Sequence, residues 1–266
     1  SLSVVSIGPE LSGNSTDIAA AFAGTVTTHT GTVAITNADH TLSELQTINN
    51  ATSGTITLTD YSVALNGTSA AISEALAGTF ASTYTGTATL SDDHTLAELV
   101  AINNGTSGNI TLNSNAVVLT GSTADIKAAL AGSFAAAYTG NIVITDANES
   151  NIAAADISTI IGATNGTVTV SNNINITGTS TAIAAVVGNI DTFSGTLTAT
   201  LLDAHTLAEL KAINNAFSGT LTLSDVTVAL SGSSADVAAA LAGTFAAAYT
   251  GNVVITDANG SNIAAA

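Results

Sequence analysis

The sequence predicts an α/β protein, a repeat solenoid of about ten coils that each contain one helix and one strand. One twelve-residue stretch occurs three times, as DHTLSELQTINN (39–50), DHTLAELVAINN (93–104) and AHTLAELKAINN (204–215). An Ala-rich stretch that ends in glycine occurs five times, with about 54 to 56 residues from one closing glycine to the next. Two segment types that recur at one period indicate a solenoid or a similar array.

The twelve-residue stretch predicts a helix with its own start signal. Each copy has a threonine in the N-cap position and a glutamate three residues later, which is the capping-box arrangement. The pairs are Thr41 with Glu44, Thr95 with Glu98 and Thr206 with Glu209. Apolar residues then follow at helical spacing, as at Leu42, Leu45 and Ile48.

The Ala-rich stretch predicts a second helix type, half a period away from the first. Its closing glycine predicts a left-handed C-cap. These glycines are Gly24, Gly78, Gly132, Gly188 and Gly243. The predicted helix starts lie near positions 15, 41, 68, 95, 123, 151, 180, 206, 234 and 262. Each coil therefore has about 26 to 29 residues, a period typical of solenoids. The block 151–205 is the divergent member, because it keeps the glycines but lacks the His-Thr-Leu start.

The segments after the helices predict strands. Ile56 and Leu58 lie between Thr55, Thr57 and Thr59, and this alternation places aliphatic side chains on one face and hydroxyls on the other. We expect a parallel sheet with the Ala-rich helices on one side and a Thr-rich face in the open. A β-helix whose short Ala segments are turns is the competing architecture. Residues 1–266 are predicted to be a single continuous solenoid, either a window of a longer array or a filament protomer.

Composition excludes several classes of function. The chain has 19 acidic and two basic residues and a net charge of -17 at pH 7, so it cannot neutralise phosphates and we expect no nucleic-acid partner. No run approaches the roughly 20 apolar residues that span a bilayer, so no membrane insertion is expected. The absence of cysteine excludes disulfides and zinc–thiolate sites.

Two columns of repeated residues are expected to be structural. His40, His94 and His205 share one repeat position, but they lie two coils or more apart, roughly 10 Å at sheet spacing, which is too far for one metal ion. We expect them to be polar residues ahead of a helix. A tyrosine also recurs, four residues after a phenylalanine, and is expected to wedge a corner of the core, the alternative being an exposed aromatic column for sugars. These residues are Tyr84, Tyr138 and Tyr249.

An acidic turn is the candidate metal site. The pattern Asp-x-Asn-x-x-Asn occurs twice and resembles the start of a calcium loop, in which alternate side-chain oxygens converge on a hard cation. Its residues are Asp146, Asn148 and Asn151, and then Asp257, Asn259 and Asn262. Neither copy has the bidentate glutamate of an EF-hand. Calcium is the only cofactor that the sequence suggests, and the alternative is that these residues only form the turn and cap the next helix.

The segments DAHTLAELKAINN, SGTLTL and AGTFAAAYTG resemble the repeat region of giant secreted or cell-surface bacterial proteins, of the surface-layer or adhesin-like kind. The resemblance implies an extracellular or cell-surface location and a structural or adhesive role, and it supplies no site residue. No cluster of side chains indicates catalysis, so an enzyme is not expected.

Two functions are therefore predicted. The first is a non-enzymatic building block of a filament, surface layer or giant adhesin, which associates with itself by end-to-end stacking of coils. The alternative is a binding module that uses the Thr-rich sheet face for a cell-surface glycan or another regular surface.

Overall fold

The computed structural model of the protein describes residues 10–24 and 28–258. Within these ranges the chain forms nine helices, and helices of eight and ten residues alternate. The eight-residue helices are α1 (Ser15–Phe22), α3 (Ser69–Leu76), α5 (Thr123–Leu130), α7 (Ser180–Val187) and α9 (Ser234–Leu241). The ten-residue helices are α2 (Leu42–Ala51), α4 (Leu96–Gly105), α6 (Ala154–Ala163) and α8 (Leu207–Ala216).

Seventeen short strands connect the helices of the described part, and their pairings are parallel. The strands are β1 (Leu11–Gly13), β2 (Val33–Ile35), β3 (Ile56–Thr57), β4 (Leu65–Gly67), β5 (Ala88–Leu90), β6 (Ile110–Thr111), β7 (Leu119–Gly121), β8 (Ile142–Ile144), β9 (Ser150–Ala153), β10 (Val168–Val170), β11 (Ile174–Gly178), β12 (Thr192–Phe193), β13 (Leu197–Leu201), β14 (Thr220–Thr222), β15 (Leu230–Gly232), β16 (Thr244–Phe245) and β17 (Val253–Ile255).

The contacts divide the described chain into two compact units. Residues 10–24, 28–119 and 125–140 form the first unit, whose sheets are β1-β2-β3 and β4-β5-β6. Residues 120–124 and 141–258 form the second, with sheets β9-β11-β13-β14-β16 and β15-β17 and with β8, β10 and β12 side by side. The α/β class and the parallel pairing are confirmed. The succession of helices and strands is consistent with the predicted repeat, and the single continuous solenoid stays a prediction.

Both predicted helix types are present, so the alternative in which the Ala segments are turns is wrong. Eight of the predicted starts agree with the structure to within one residue. The start predicted near 151 is wrong by three residues, because residues 150–153 form β9 and α6 begins only at Ala154. The start predicted near 262 lies outside the described residues.

The capping boxes are confirmed in α2, α4 and α8. In each helix the threonine hydroxyl accepts a hydrogen bond from the glutamate N–H, and the glutamate carboxylate accepts one from the threonine N–H. The divergent helix α6 has Ala153 at its N-cap and no side-chain cap. Its start is therefore the one that the sequence pattern could not place.

The left-handed glycine C-cap is wrong. None of the five glycines has a positive φ, and the chain leaves α3 through Ala77 with φ -69°. Instead, an asparagine of the preceding ten-residue helix donates to the last carbonyls: Asn103 Nδ2 to Ala128 O at 2.6 Å, for example. A Cβ on Gly132 would lie 1.8 Å from Asn103 Oδ1, so this glycine provides room for the asparagine.

The number of residues between two paired strands differs from the number between the helices that follow them. Leu11 of β1 pairs with Val33 of β2, whereas the helices that follow these strands begin at Ser15 and Leu42, which lie farther apart along the chain. The reason is the length of the segment between strand and helix. Only the N-cap Asn14 separates β1 from α1, whereas six residues separate β2 from α2.

The core consists of the aliphatic residues that the alternation predicts. Ile56 and Leu58 are buried, and the hydroxyl-bearing Thr57 and Thr59 are exposed. The helices bury one leucine and one isoleucine from each capping-box copy, such as Leu45 and Ile48 in α2. Helix and strand are thus held together by aliphatic contacts, and the polar groups discussed next lie at the edges of this core.

Candidate functional site

Three histidine–tyrosine pairs recur in the structure, and we call each pair a clasp. Their members are His40 with Tyr84, His94 with Tyr138, and His205 with Tyr249, always 44 residues apart. The His Nε2 to Tyr OH distances are 3.0, 3.2 and 3.0 Å. Each tyrosine hydroxyl also donates to a valine carbonyl, at 2.6–2.7 Å. Because the hydroxyl proton is used in that bond, the histidine Nε2–H is the donor to the tyrosine oxygen.

The clasp histidines are buried with one ring nitrogen unsatisfied. Each of the three is 3% exposed, and within the described residues its Nδ1 has no hydrogen-bond partner. Burial lowers the pKa of each imidazole below its ordinary value, against the attraction of nearby carboxylates. Burial also raises the pKa of the Tyr84 and Tyr138 hydroxyls, so these remain proton donors.

The sequence shows the recurring histidines and the recurring tyrosines, but it does not show that each histidine contacts a tyrosine. The prediction that the tyrosines wedge a corner of the core is confirmed for Tyr84 and Tyr138, which are buried, whereas Tyr249 is half-buried. The constant separation of the two members along the chain is the signal that could have paired them. A second signal is the divergent coil: Ile152 precedes its N-cap, and Phe193 lies four residues before β13, so both polar members are replaced together.

Carboxylates also join neighbouring coils at the helix N-termini. The first N–H of an eight-residue helix has no partner within the helix, and an Asp or Asn from the strand end of the next coil accepts from it. The pairs are Ser15 with Asn37, Ser69 with Asp92, Thr123 with Asp146, Ser180 with Asp203, and Ser234 with Asp257. The capping-box glutamates take part too, since Glu98 accepts from the Ser69 hydroxyl at 3.0 Å.

The candidate calcium residues each accept a hydrogen bond from a different neighbour. Asp146 Oδ2 accepts from the Thr123 N–H and hydroxyl, at 2.9 and 2.5 Å. Asn148 Oδ1 accepts from the Asn173 N–H at 3.1 Å, and Asn151 Oδ1 from Asn175 Nδ2 at 2.7 Å. Asp146 thus faces the coil before it, and the two asparagines face the coil after it. The turn is therefore present, but the expected capping of the next helix is wrong in this copy, because Asp146 bonds the N-terminus of α5 and α6 has no side-chain cap. Calcium stays a prediction.

The second copy of the motif is described only in part. Asp257 accepts from the Ser234 N–H at 3.1–3.2 Å, whereas Asn259 and Asn262 lie outside the described residues. Among the described residues, no group of three or more His, Asp or Glu side chains is placed to hold a metal ion.

An uncharged array of hydroxyl and amide side chains covers one sheet of the first unit, and we call it the hydroxyl face. It consists of Thr85, Thr87, Thr89, Ser107, Asn109 and Thr111, all of them exposed. Strand pairing sets their register, because Thr89 lies opposite Thr111 and the Tyr84–Thr106 bridge places the next pairs side by side. None of these six positions is occupied by one of the chain's 19 acidic residues.

The outer edge of β17 is apolar and open. Val253, Val254 and Ile255 are 44%, 54% and 43% exposed, and among the described strands β17 pairs only with β15. The segment NVVITDAN that contains β17 repeats an earlier segment, NIVITDAN, that contains β8. In that earlier copy the counterparts Ile142 and Ile144 are both fully buried. Ile142 donates its N–H to Thr167 O at 2.8 Å, so the next coil covers this edge in the earlier copy.

No protein-family model matches the chain, and no curated protein or solved structure matches it. None of the helices in the described ranges is both long and apolar enough to cross a membrane. The clasps, the coil-to-coil carboxylates, the hydroxyl face and the β17 edge are therefore the features from which a function can be inferred.

Proposed function

We propose that the protein is a non-enzymatic structural component of the extracellular space or cell surface, a building block of a filament, surface layer or giant adhesin. Copies of the chain stack end to end, and each added coil continues the parallel strand pairing. The observation that carries the proposal is the hydrogen bonding between adjacent coils, in which the N-terminus of a helix takes its partner from the next coil, as at Ser69 with Asp92.

The bonding between coils supports growth by addition. Strand edges, helix N-termini and helix C-termini of one coil take their partners from an adjacent coil, as at Ser69 with Asp92 and Asn103 with Ala128. A coil at the end of a stack leaves such groups without these partners. Stacking a further copy satisfies them and covers apolar surface, and both effects favour association.

Electron microscopy and light scattering of the purified chain, with and without a chelator of divalent cations, test the proposal. We expect fibres or extended oligomers whose number depends on protein concentration. Fibres that dissociate in chelator would indicate that calcium bridges the copies. Fibres that chelator does not change would show that calcium is not needed for stacking. Monodisperse single chains at every concentration would contradict end-to-end stacking.

A pair of matched variants locates the joint. Val253→Lys places a charge on the open edge, which natural sheets use to prevent edge pairing. Val118→Lys is the control, because Val118 is a comparably exposed valine, at 55%, that is not part of β17. We expect V253K to shorten or abolish the fibres and V118K to leave them intact; equal behaviour of the two variants would place the joint elsewhere.

A second candidate function is glycan binding by the hydroxyl face. The observation that favours it is the absence of charge from this face in a chain of net charge -17. A neutral polysaccharide can exchange hydrogen bonds with such a face without meeting like charges. Pull-down on insoluble neutral glycans tests it: Thr89→Trp should abolish binding, and Thr57→Trp, in the sheet β1-β2-β3, should not. Absence of binding by the unchanged chain would eliminate this candidate.

A further inference from the structure

The three clasps combine burial, a fixed tautomer and an unsatisfied nitrogen in one side chain. In the clasp of His40, the Tyr84 proton is committed to Val63 O at 2.7 Å, and the Nε2 proton is committed to the tyrosine oxygen at 3.0 Å. Nδ1 is therefore the lone-pair nitrogen, and it has no partner among the described residues. The neutral imidazole fits this arrangement, since only one of its nitrogens carries a proton.

A second proton has no place in this geometry. Protonation at Nδ1 creates a buried cation whose new N–H has no acceptor, and an unsatisfied buried charge is costly. The ring can be hydrated only if it turns towards solvent, and that movement breaks the Nε2–Tyr bond. His40 lies before α2, Val63 between β3 and β4, and Tyr84 before β5, so the break releases contacts among three successive coils.

Carboxylates face each histidine and oppose the effect of burial. They attract an imidazolium from the loop before the long helix, from its capping-box glutamate and, in two clasps, from the turn after a strand. For His40 they are Asp39, Glu44 and Asp60; for His94, Asp92, Asp93 and Glu98; for His205, Asp203, Glu209 and Asp225. Burial outweighs this attraction in all three clasps, so each histidine pKa is lower in the folded chain.

We propose that the three clasps form an acid-sensitive lock: they hold successive coils together at neutral pH, and they open when their histidines are protonated. The sign follows from linkage. A base whose folded pKa is depressed stabilises the fold fully above its unfolded value, near 6.5, and the contribution is lost as the pH falls from there towards the folded value. Each clasp changes the unfolding equilibrium constant by up to about tenfold per pH unit in this window.

The divergent coil supplies the template for a variant without the lock. Ile152 and Phe193 show which residues the chain itself uses where the clasp is absent. The variant combines His→Ile at 40, 94 and 205 with Tyr→Phe at 84, 138 and 249. Both proteins keep the buried His29, so the comparison isolates the six substituted positions.

Urea unfolding between pH 7.5 and 5.0 compares the two proteins. We expect the midpoint of the original chain to fall through this window and that of the variant to remain nearly constant. Below pH 4.5 both should lose stability, because the carboxylates that join the coils are common to both. The same pH dependence in both proteins between 7.5 and 5.0 would overturn the proposal.

If the variant does not fold, a measurement on the unaltered chain still tests the proposal. Proton NMR of the imidazole C2–H signals gives each histidine pKa, and near-UV circular dichroism reports on tyrosine packing, since three of the four tyrosines belong to clasps. We expect pKa values below 6.5 and loss of the tyrosine signal together with protonation. Histidines that titrate at 6.5 or above while the tyrosine signal persists would also overturn the proposal.

Discussion

Replacement of Gly132 by alanine tests whether this glycine makes room for a neighbouring side chain. The new Cβ would lie 1.8 Å from Asn103 Oδ1 and 2.7 Å from its Cγ, so the asparagine must leave. Its departure removes the 2.6 Å bond to Ala128 O, which keeps only a 3.5 Å bond from the Ala131 N–H, and loss of one such hydrogen bond costs about 0.5–1.5 kcal/mol. Displacement of packed atoms adds about 1–3 kcal/mol. Restriction of the unfolded chain offsets about 0.4–1 kcal/mol of this loss, so we expect a net loss of about 2 kcal/mol.

Gly188→Ala is the matched control. Gly188 also ends an eight-residue helix, its φ is -79°, and a Cβ there would have no atom within 4 Å. The same substitution should therefore stabilise the protein, by about 0.4–1 kcal/mol through the unfolded state. Gly188 follows α7 directly, whereas Ala131 separates Gly132 from α5, but both glycines close an Ala-rich segment. Opposite signs would therefore be explained by the different packing around them.

Urea unfolding followed by circular dichroism measures both variants, and a double-mutant cycle isolates the contact. In an Asn103→Ala background the steric conflict is gone, so Gly132→Ala should cost about 1–3 kcal/mol less than in the original chain. A cost unchanged by N103A would refute the steric argument. So would equal effects of G132A and G188A, because the glycines would then act only through the unfolded state.

Two further predictions concern the helix N-termini. Thr95→Ala removes the N-cap side chain of α4 and should lower the free energy of unfolding by about 1 kcal/mol, as measured by urea unfolding. Ala153→Thr, at the N-cap of α6, which has no side-chain cap, should not destabilise the protein. An effect of T95A below about 0.3 kcal/mol would contradict a stabilising capping box. Hydrogen bonds from the Thr181 hydroxyl and the Thr206 N–H lower the pKa of Glu209 to about 2, so its contribution to stability is full above about 4.5 and is lost as the pH falls to about 2. Glu209→Gln should reduce the acid-induced loss in thermal melts, and an unchanged loss would show that this carboxylate is not stabilising.

The sequence was sufficient where a signal is local. Thr41 and Glu44 are three residues apart and cap one helix, so the capping box could be predicted together with the helix starts. The alternation around Ile56 predicted which strand residues are buried. Both rules relate residues within one helix turn or one strand, and the chain repeats them often enough to remove ambiguity.

The sequence was insufficient where the partner belongs to another coil. Gly132 looks like a C-cap until Asn103, which belongs to the preceding long helix, is seen to occupy the space beside it. Strands such as β4 and β15 were missed because their three residues, Leu-x-Gly, are too short for an alternation pattern, although the motif recurs before the eight-residue helices. The candidate calcium residues share this problem, because Asp146 and Asn148 accept from neighbours 23 and 25 residues away, in opposite directions.

The coil-to-coil bonds also explain how a chain with 19 acids and two bases can form packed coils. Its carboxylates have few cations to pair with, such as Lys211, which forms a salt bridge with Asp236. Helix N-termini replace the cations: each presents unsatisfied N–H groups and a partial positive charge, which an anion from the next coil satisfies. Asp92 accepts from the Ser69 N–H of α3 in this way, and Glu98 accepts from the hydroxyl of the same serine. Because carboxylates such as Asp92 need a helix of another coil, part of the negative charge that would repel an isolated coil becomes a reason for coils to stack.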